Sequence, residues 1–231
     1  MPHRTSGYRE EERLVRIPVG DVTLEGNLGV IPDSRGIVVF AHGSGSSRHS
    51  PRNRFVASVL REAGLATLLM DLLTPQEEII DEQTRRFRFD IELLARRVIG
   101  AVEWVTGYPS TGNLNIGCFG ASTGAAAALI AAAERPDLIR AVVSRGGRPD
   151  LAAEYLPRVK APTLLIVGGN DTQVIRMNQE ALELINADKV LSIVPGASHL
   201  FEEPGTLEEV ARLAADWFAR YLGQARVEHA A

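Results

Sequence analysis

The sequence predicts an α/β protein, with a mostly parallel sheet of about eight strands that is covered by helices on both faces. Compact apolar runs without polar alternation recur along the chain, which is typical of strands buried on both faces. Segments with helical spacing separate these runs, and such alternation favours parallel strands joined by right-handed crossovers. A length of 231 residues with 45% hydrophobic content supports one sizeable core, so we expect a single domain over residues 1–231.

The predicted elements begin with an antiparallel hairpin at a sheet edge, because residues 14–32 alternate apolar and polar side chains around Val19-Gly20-Asp21. Buried strands are predicted next within 36–43, 65–73, 114–120, 139–147, 162–171 and 189–199. Helical spacing marks residues 55–60, 91–105, 129–130, 174–185 and 207–222. The charged residues 74–90 predict a short helix and a loop beside the functional site, and about 1–10 and 224–231 are expected to be flexible tails.

Composition argues against several function classes. The net charge of −4 and the scattered Lys and Arg residues speak against a nucleic-acid partner. No apolar run approaches the roughly 18 residues of a membrane span, and the first residues lack the apolar core of a signal peptide. The single cysteine, Cys118, cannot form an intrachain disulfide, so we expect a soluble protein of the reducing cytoplasm with no membrane partner.

A candidate nucleophile, Ser122, lies in the stretch GASTG at residues 120–124, between an apolar strand and an alanine-rich helix. This G-x-S-x-G pattern is typical of a serine on a sharp strand-to-helix turn, where two glycines let the strand and the helix approach. The following helix directs N–H groups and its positive dipole end at the oxyanion that forms when a serine attacks a carbonyl. The alternative is a purely structural turn before a close-packed helix.

A serine hydroxyl needs a base and an orienting acid, and the chain offers both at later strand ends. His199 follows the last predicted strand and Asp171 follows the strand before it, which gives the chain order serine, acid, histidine. Sites of parallel sheets collect at the carboxyl ends of the strands. Three alternatives are open: a loop role for His199, a helix-capping role for Asp171, and Asp71, at the end of an earlier strand, as the acid.

The stretch HGSG at residues 42–45 ends the first buried strand. A glycine-rich loop in that place can direct backbone N–H groups at a substrate carbonyl, so Ser44 is the predicted first oxyanion donor and Thr123 the second. Gly43 is expected to border the substrate, and His42 to hold the loop by hydrogen bonds. The alternative is an ordinary strand-to-helix loop.

Two arginines, Arg145 and Arg148, flank a Gly-Gly pair at another strand end on the same edge. An arginine there can bind a substrate carboxylate or phosphate through paired hydrogen bonds, which makes Arg145 a candidate substrate-binding residue. Arg88, in the charged stretch 74–90, is a second candidate. The alternative for each arginine is an ion pair with a nearby Asp or Glu.

The motifs HGSGSS, GASTG, GGND and GASHLF, in this order over about residues 15–222, resemble those of the α/β-hydrolase superfamily. The compact size and the lack of a long cap insertion resemble its dienelactone hydrolase family. The resemblance implies an α/β-hydrolase fold with minimal or no cap. It also implies a nucleophile, an acid, a histidine and two oxyanion donors at Ser122, Asp171, His199, Ser44 and Thr123.

One departure from the family narrows the implied activity. Dienelactone hydrolases proper have cysteine within G-x-C-x-G, whereas this chain has Ser122, and Cys118 lies earlier, inside the strand. The resemblance therefore implies a serine carboxylesterase rather than action on dienelactone itself. The stretches HGSGSSRHSPRNRFVA and VVSRGGRPD also look like the small bacterial hydrolases that are fused to phosphoribosyltransferase domains.

These residues predict a hydrolase that cleaves small carboxylic esters or lactones through a Ser-His-Asp triad and an acyl-enzyme. We expect no metal, no organic cofactor, a small ester as the partner, and a monomer or homodimer. The same triad would serve a thioesterase, an acyltransferase or a peptidase, because the choice of leaving group depends on pocket shape. The alternative from another class is a non-catalytic binding module on the hydrolase fold.

Overall fold

The computed structural model describes residues 12–223, and the predicted tails at about 1–10 and 224–231 lie outside the described residues. The strands are β1 (Glu12–Val19), β2 (Val22–Gly29), β3 (Ile37–Ala41), β4 (Ala66–Met70), β5 (Ile116–Ala121), β6 (Ile139–Arg145), β7 (Thr163–Gly168) and β8 (Lys189–Val194). The helices are α1 (Pro51–Glu62), α2 (Pro75–Thr84), α3 (Ile91–Gly107), α4 (Thr123–Glu134), α5 (Thr172–Leu184) and α6 (Thr206–Leu222). Two short 3-10 helices, Pro149–Ala152 and Leu156–Arg158, follow β6.

The eight strands form one sheet in the order β1-β2-β4-β3-β5-β6-β7-β8. The hairpin β1–β2 lies at one edge and runs antiparallel to its neighbour β4, whereas the pairs from β4 to β8 are parallel. Strands β3, β4, β5 and β7 are buried along their whole length, because helices cover both faces of the sheet. The predicted eight-stranded, mostly parallel sheet with an antiparallel edge hairpin is therefore confirmed.

Helices α3 and α4 pack on one face of the sheet, and α1 and α6 pack on the other. Every residue of α4 except Glu134 is buried, and most of these residues are alanines. Small side chains let α4 lie close to both α3 and the sheet, where a larger residue would leave no room. This packing fixes the first turn of α4, which follows Ser122 directly.

The charged residues 74–90 form α2 and a loop, as predicted. Thr74 begins α2 with a capping box, in which its side chain accepts from the Glu77 N–H and the Glu77 carboxylate accepts from the Thr74 N–H. The helix ends at Thr84, and the next residue, Arg85, has a left-handed φ of 54° that turns the chain away. Across residues 12–223, no helix is both long enough and apolar enough to cross a bilayer.

Strand register brings the predicted site residues to one edge. Ala121 at the end of β5 is opposite Arg145 at the end of β6, and Gly168 at the end of β7 is opposite Val194 at the end of β8. The loops that follow these strands therefore emerge side by side. Ser122, Asp171 and His199 lie on three of them.

Candidate active site

Ser122 has a backbone conformation that non-glycine residues rarely adopt, with φ 52° and ψ −121°. Three backbone hydrogen bonds hold it there. The Ser122 N–H donates to the Arg145 carbonyl at 3.2 Å, and the Ser122 carbonyl accepts from the N–H groups of Ala125 and Arg148 at 3.1 Å each. Strained residues of this kind persist only where their surroundings hold them, and they cluster at active sites.

The two glycines of G-x-S-x-G are required for close backbone contact. A Cβ on Gly120 would lie 2.4 Å from the Ala125 Cα, and a Cβ on Gly124 would lie 2.3 Å from the Ala41 carbonyl oxygen. Real side chains do not approach backbone atoms so closely. Strand β5, the end of β3 and the first turn of α4 therefore meet around Ser122 at distances that only glycine permits.

Asp171 and His199 are in direct contact. The His199 Nδ1 lies 2.6 Å from the Asp171 Oδ2, which is a charge-assisted geometry. Asp171 occupies the N-cap position of α5, yet its side chain makes no capping hydrogen bond, so its carboxylate is committed to the imidazole. The ring also lies against Gly146, where an added Cβ would be 3.4 Å from the His199 Cε1.

Asp71, the rival acid, is held by Arg48 instead. The Arg48 N–H donates to the Asp71 Oδ1 at 2.7 Å, and the Arg48 guanidinium forms an ion pair with the Asp71 Oδ2. The same guanidinium also pairs with Glu25 at 2.7 Å and donates to the Asn27 Oδ1 at 3.2 Å. Asp71, at the end of β4, and Glu25 and Asn27, within β2, thus anchor the loop after β3 through Arg48.

The loop after β3 passes over Ser122. A Cβ on Gly43 would lie 3.1 Å from the Ser122 Cβ, so no side chain fits between the loop and the serine. His42 holds this loop, because its Nε2 accepts from the Leu72 N–H at 3.0 Å and its Nδ1 lies 2.9 Å from the Gly43 carbonyl oxygen. Burial lowers the pKa of His42, which favours the neutral ring that these contacts require.

The two predicted oxyanion donors are Thr123, the next residue in the chain, and Ser44, which lines the same cavity as Ser122. Thr123 is the first residue of α4, where a backbone N–H has no acceptor within its own helix. Ser44 belongs to the loop over Ser122. An N–H at a helix start also carries the positive end of the helix dipole, so this place favours a negative oxygen.

A cavity of about 230 Å³ opens at Ser122. It is lined by Gly43, Ser44, Ser46, Ser50, Arg52, Asn53, Ala121, Ser122, Arg145, His199 and Leu200. The cavity therefore unites most of the predicted site residues, while Asp171 contacts His199. A larger groove of about 400 Å³ lies beside the β1–β2 turn, but none of the predicted site residues lines it.

Two of the three predicted arginines have carboxylate partners. Arg148 pairs with Asp150 through hydrogen bonds of 2.9 and 2.7 Å, and this contact raises the pKa of Arg148. Arg88 pairs with the buried Asp81 at 2.5 Å and does not line the cavity at Ser122. The guanidinium of Arg88 instead borders the loop after β3, since a Cβ on Gly45 would be 3.3 Å from its Nη1.

Arg145 differs from the other two arginines. It lines the cavity and is only 8% exposed, and its Nη1 is buried without a hydrogen-bond partner. Burial, together with the nearby charge of Arg52, lowers the pKa of Arg145 to about 10. Arg52 and Asn53 also line the cavity, although sequence reasoning assigned them no role. Their position in the sequence could have indicated this, because they follow the glycine-rich loop closely and lie at the start of α1.

Comparison with known proteins gives a consistent result. A model of the dienelactone hydrolase family matches residues 26–223. The crystal structure of a dienelactone hydrolase from Anabaena variabilis is 62% identical, with a TM-score of 0.92, and the match covers 93% of this chain and 100% of that chain. An esterase of Pyrococcus furiosus shares the fold at 21% identity and a TM-score of 0.73, over 93% of this chain and 94% of that chain.

Curated relatives occur in two strains of Mycobacterium tuberculosis. Each is 59% identical over 214 residues, which is 93% of this chain. Their names propose a phosphoribosyl transferase. The chain spans about half of their length, 47%.

Proposed function

Since this chain belongs to the dienelactone hydrolase family, we propose that it is a serine hydrolase that cleaves small carboxylic esters or lactones. The observation that carries the proposal is the contact of 2.6 Å between His199 and Asp171, beside a cavity that His199 shares with the strained Ser122. A hydrolase of esterase type is what family and fold support. The carboxylic ester class and the residue roles are our proposal.

Acylation begins at the serine. His199 Nε2 takes the proton of the Ser122 hydroxyl while the serine oxygen bonds to the substrate carbonyl carbon. The carbonyl π electrons move to the oxygen, and the N–H groups of Ser44 and Thr123 donate to this oxyanion. When the oxyanion collapses, the bond to the leaving oxygen breaks and His199 gives its proton to the departing alcohol.

Deacylation repeats these steps with water. His199 takes a proton from water, the hydroxide bonds to the acyl carbon, and the serine leaves with the proton returned by His199. Asp171 accepts from the Nδ1–H throughout, so the Nε2 always faces the reacting atoms. The side chain of His199 is 40% exposed, which gives water a route to it.

Serine rather than cysteine is the proposed nucleophile. Cys118, the only cysteine in the sequence, lies buried within β5. Burial raises the pKa of its thiol to about 12, so the thiolate that would attack a carbonyl is scarce at neutral pH. A free buried thiol also fits our proposal that the protein works in the reducing cytoplasm.

A cavity of about 230 Å³ admits a small acyl group, so the proposed substrate is a small-molecule ester. The proposed oligomeric state is a monomer or a homodimer. The phosphoribosyl transferase activity in the names of the relatives is not part of this proposal, because the chain spans only 47% of their length. Whether the protein prefers esters, thioesters or amides is tested by measuring kcat/KM for three substrates that carry the same acyl group and differ only in the leaving group.

The test is Ser122→Ala, with Ser46→Ala as the matched control from the same cavity. We expect Ser122→Ala to lower kcat for a short-chain ester about 10⁶-fold, since triad members act as a unit. Ser46→Ala should keep activity within a few fold. Ester hydrolysis that survives in pure, folded Ser122→Ala would contradict the proposal.

A further inference from the structure

The turn of residues 146–148, directly after β6, contacts both the nucleophile and the base of the proposed triad. The Arg148 N–H donates to the Ser122 carbonyl at 3.1 Å. Gly146 lies against His199, since an added Cβ would be 3.3 Å from the His199 carbonyl oxygen and 3.4 Å from its Cε1. A displacement of this turn would therefore move the serine and the imidazole relative to each other.

Side chains hold the 146–148 turn from two directions. On one side there is no room at Gly147, where an added Cβ would lie 1.9 Å from the Ser144 Oγ, in β6, and 2.7 Å from the Ala125 Cβ, in α4. On the other side the Asn178 Nδ2, from α5, donates to the Gly147 carbonyl at 3.0 Å. The turn is therefore packed against β6 and α4, and the hydrogen bond from Asn178 ties it to α5.

Asn178 is a polar side chain in a fully buried place, with 0% exposure. Its Nδ2 donates to the Gly147 carbonyl and, at 2.8 Å, to the Val174 carbonyl of its own helix, while its Oδ1 is buried without a partner. A buried polar atom without a partner is unfavourable, so stability alone gives little reason for an amide here. Only the hydrogen bond to Gly147 reaches beyond α5, which makes the 146–148 turn the place where this amide acts.

Helix α5 carries both the proposed acid and Asn178. Asp171 is the N-cap of α5, and its Oδ2 lies 2.6 Å from the His199 Nδ1. Asn178 is seven residues further along, which is about two helical turns, so the two residues lie on the same side of the helix. The helix therefore contacts the imidazole through Asp171 and, through Asn178, the turn that borders the imidazole and the serine.

We propose that Asn178 is a positioning residue of the active site, which acts through the 146–148 turn to keep the Ser122 hydroxyl and the His199 ring aligned. Asn178 does not line the cavity at Ser122, so it acts without touching the substrate. The catalytic part of this inference rests on the proposed function, whereas the hold on the imidazole does not. A misplacement of about 1 Å can cost about 100-fold in rate, so a loosened turn is expected to slow the reaction measurably.

Asn178→Leu tests the role, because leucine has nearly the same shape and cannot donate to Gly147. We expect kcat for 4-nitrophenyl butyrate to fall about 10- to 100-fold, through poorer alignment of serine and imidazole. KM should stay within about twofold, since Asn178 lies outside the cavity. A raised KM at an unchanged kcat would overturn the positioning role.

Thr111→Val is the matched control. It also removes a buried hydrogen bond from a side chain to a backbone carbonyl, because Thr111 is 1% exposed and its Oγ1 donates to the Val105 carbonyl at 2.9 Å. Thr111 precedes β5, whereas Ser122 follows it, so the two lie at opposite ends of that strand. Thr111→Val should lower the urea midpoint of unfolding to a similar degree as Asn178→Leu and leave kcat unchanged.

The Cε1–H group of His199 gives a readout that does not need activity, because Cε1 borders Gly146. Its proton–carbon correlation in NMR does not exchange with water, and His199→Gln identifies the signal. In Asn178→Leu we expect this signal to shift or broaden, since the turn beside the ring is no longer tied to α5. In Thr111→Val it should stay at the wild-type position.

Circular dichroism must show each variant folded, and Asn178→Ser replaces Asn178→Leu if the latter does not fold. A serine hydroxyl can still donate to the Val174 carbonyl four residues earlier but is too short to reach Gly147, so the same results are expected. An active wild type, with kcat and the Cε1–H signal of the Asn178 variant equal to those of Thr111→Val, would overturn the positioning role alone. A wild type that hydrolyses no ester, with a signal that the Asn178 variant still shifts, would overturn the hydrolase proposal and leave the hold on the imidazole standing.

Discussion

The carboxyl edge of the sheet has two regions that use the same residue types in opposite ways. Near the end of β4, Arg48 pairs with both Asp71 and Glu25 and ties the loop after β3 to its neighbours. At the ends of β6 to β8, His199, which contacts Asp171, and the unpaired Arg145 face a cavity instead. Chemistry is expected where polar groups are left unsatisfied by the fold, since only those groups are free for a ligand.

The two regions also differ in how they are built. Side-chain ion pairs hold the β4 end, whereas backbone atoms in contact through glycine hold the turn at Ser122. Ion pairs can be exchanged for other polar contacts with a moderate loss of stability. Backbone contact leaves no room for any added atom, so it fixes the position of a reacting group more strictly.

Among the variants that compare the two regions, the largest expected effect comes from removing the charge of the two aspartates in turn. Asp171→Asn should lower kcat for a short ester about 10⁴-fold, because an amide no longer holds the imidazole in the tautomer that presents Nε2 to the serine. Steady-state kinetics on folded protein measure this loss.

Asp71→Asn is the matched comparison at the other region. It should reduce the free energy of unfolding by about 2 kcal/mol, since the N–H and guanidinium of Arg48 lose a charged acceptor. Its kcat should fall about 10-fold or less, through looser holding of the loop after β3. Equal losses of kcat in both variants would erase the proposed difference between the two regions.

Adding one methyl group tests the backbone contacts. Gly124→Ala would place a Cβ 2.3 Å from the Ala41 carbonyl oxygen, so we expect a loss of about 3 kcal/mol in unfolding free energy together with lower activity. Gly107→Ala, at the end of α3, meets no atom within 4 Å and should be neutral or stabilising by about 0.5 kcal/mol. Urea unfolding of both variants measures the change in unfolding free energy. Similar changes in the two variants would contradict a special requirement for glycine at position 124.

The smallest expected effect is a pH dependence of stability through His42. Burial lowers the pKa of His42 in the folded protein, so the unfolded chain binds the proton more readily. The contribution of His42 is therefore present above its ordinary pKa of about 6.5 and is lost as pH falls below it, at most about 1.4 kcal/mol per pH unit.

Unfolding free energies at pH 8 and pH 5 measure this contribution. The stability advantage of wild type over His42→Gln should be larger at pH 8 than at pH 5. An advantage that is the same at both values, or larger at pH 5, would contradict the neutral role of His42 in holding the loop.

Much of the fold and the outline of the site could be predicted from the sequence. Non-alternating apolar runs predicted the buried strands, and the alanine-rich run after Ser122 predicted a close-packed helix. Ser122, Asp171 and His199 were predicted because each lies in the loop or turn after a strand, and parallel strands bring their carboxyl ends together. These features could be predicted because the direction of a strand determines at which edge of the sheet the residues after it lie.

The use of each charged group could not be predicted in the same way. Arg88, Arg145 and Arg148 look alike in sequence, and only their neighbours in space separate them. Arg52 and Arg145 line the same cavity although they come from segments far apart in the chain. Ion pairing depends on such long-range geometry, to which hydrophobic periodicity is insensitive.

Ser122 is proposed to be activated where it lies beside His199 and Arg145 at the ends of β5 to β8, and a fluorophosphonate probe, which bonds to activated serines, reports this. Intact mass and peptide mapping should show one probe per chain, bound to Ser122, in wild type and, at a rate no more than about 10-fold lower, in Asp71→Asn. Labelling should be much slower in Asp171→Asn and absent at that peptide in Ser122→Ala. Folded wild-type protein that stays unlabelled at Ser122, or that labels at a different residue, would contradict the claim.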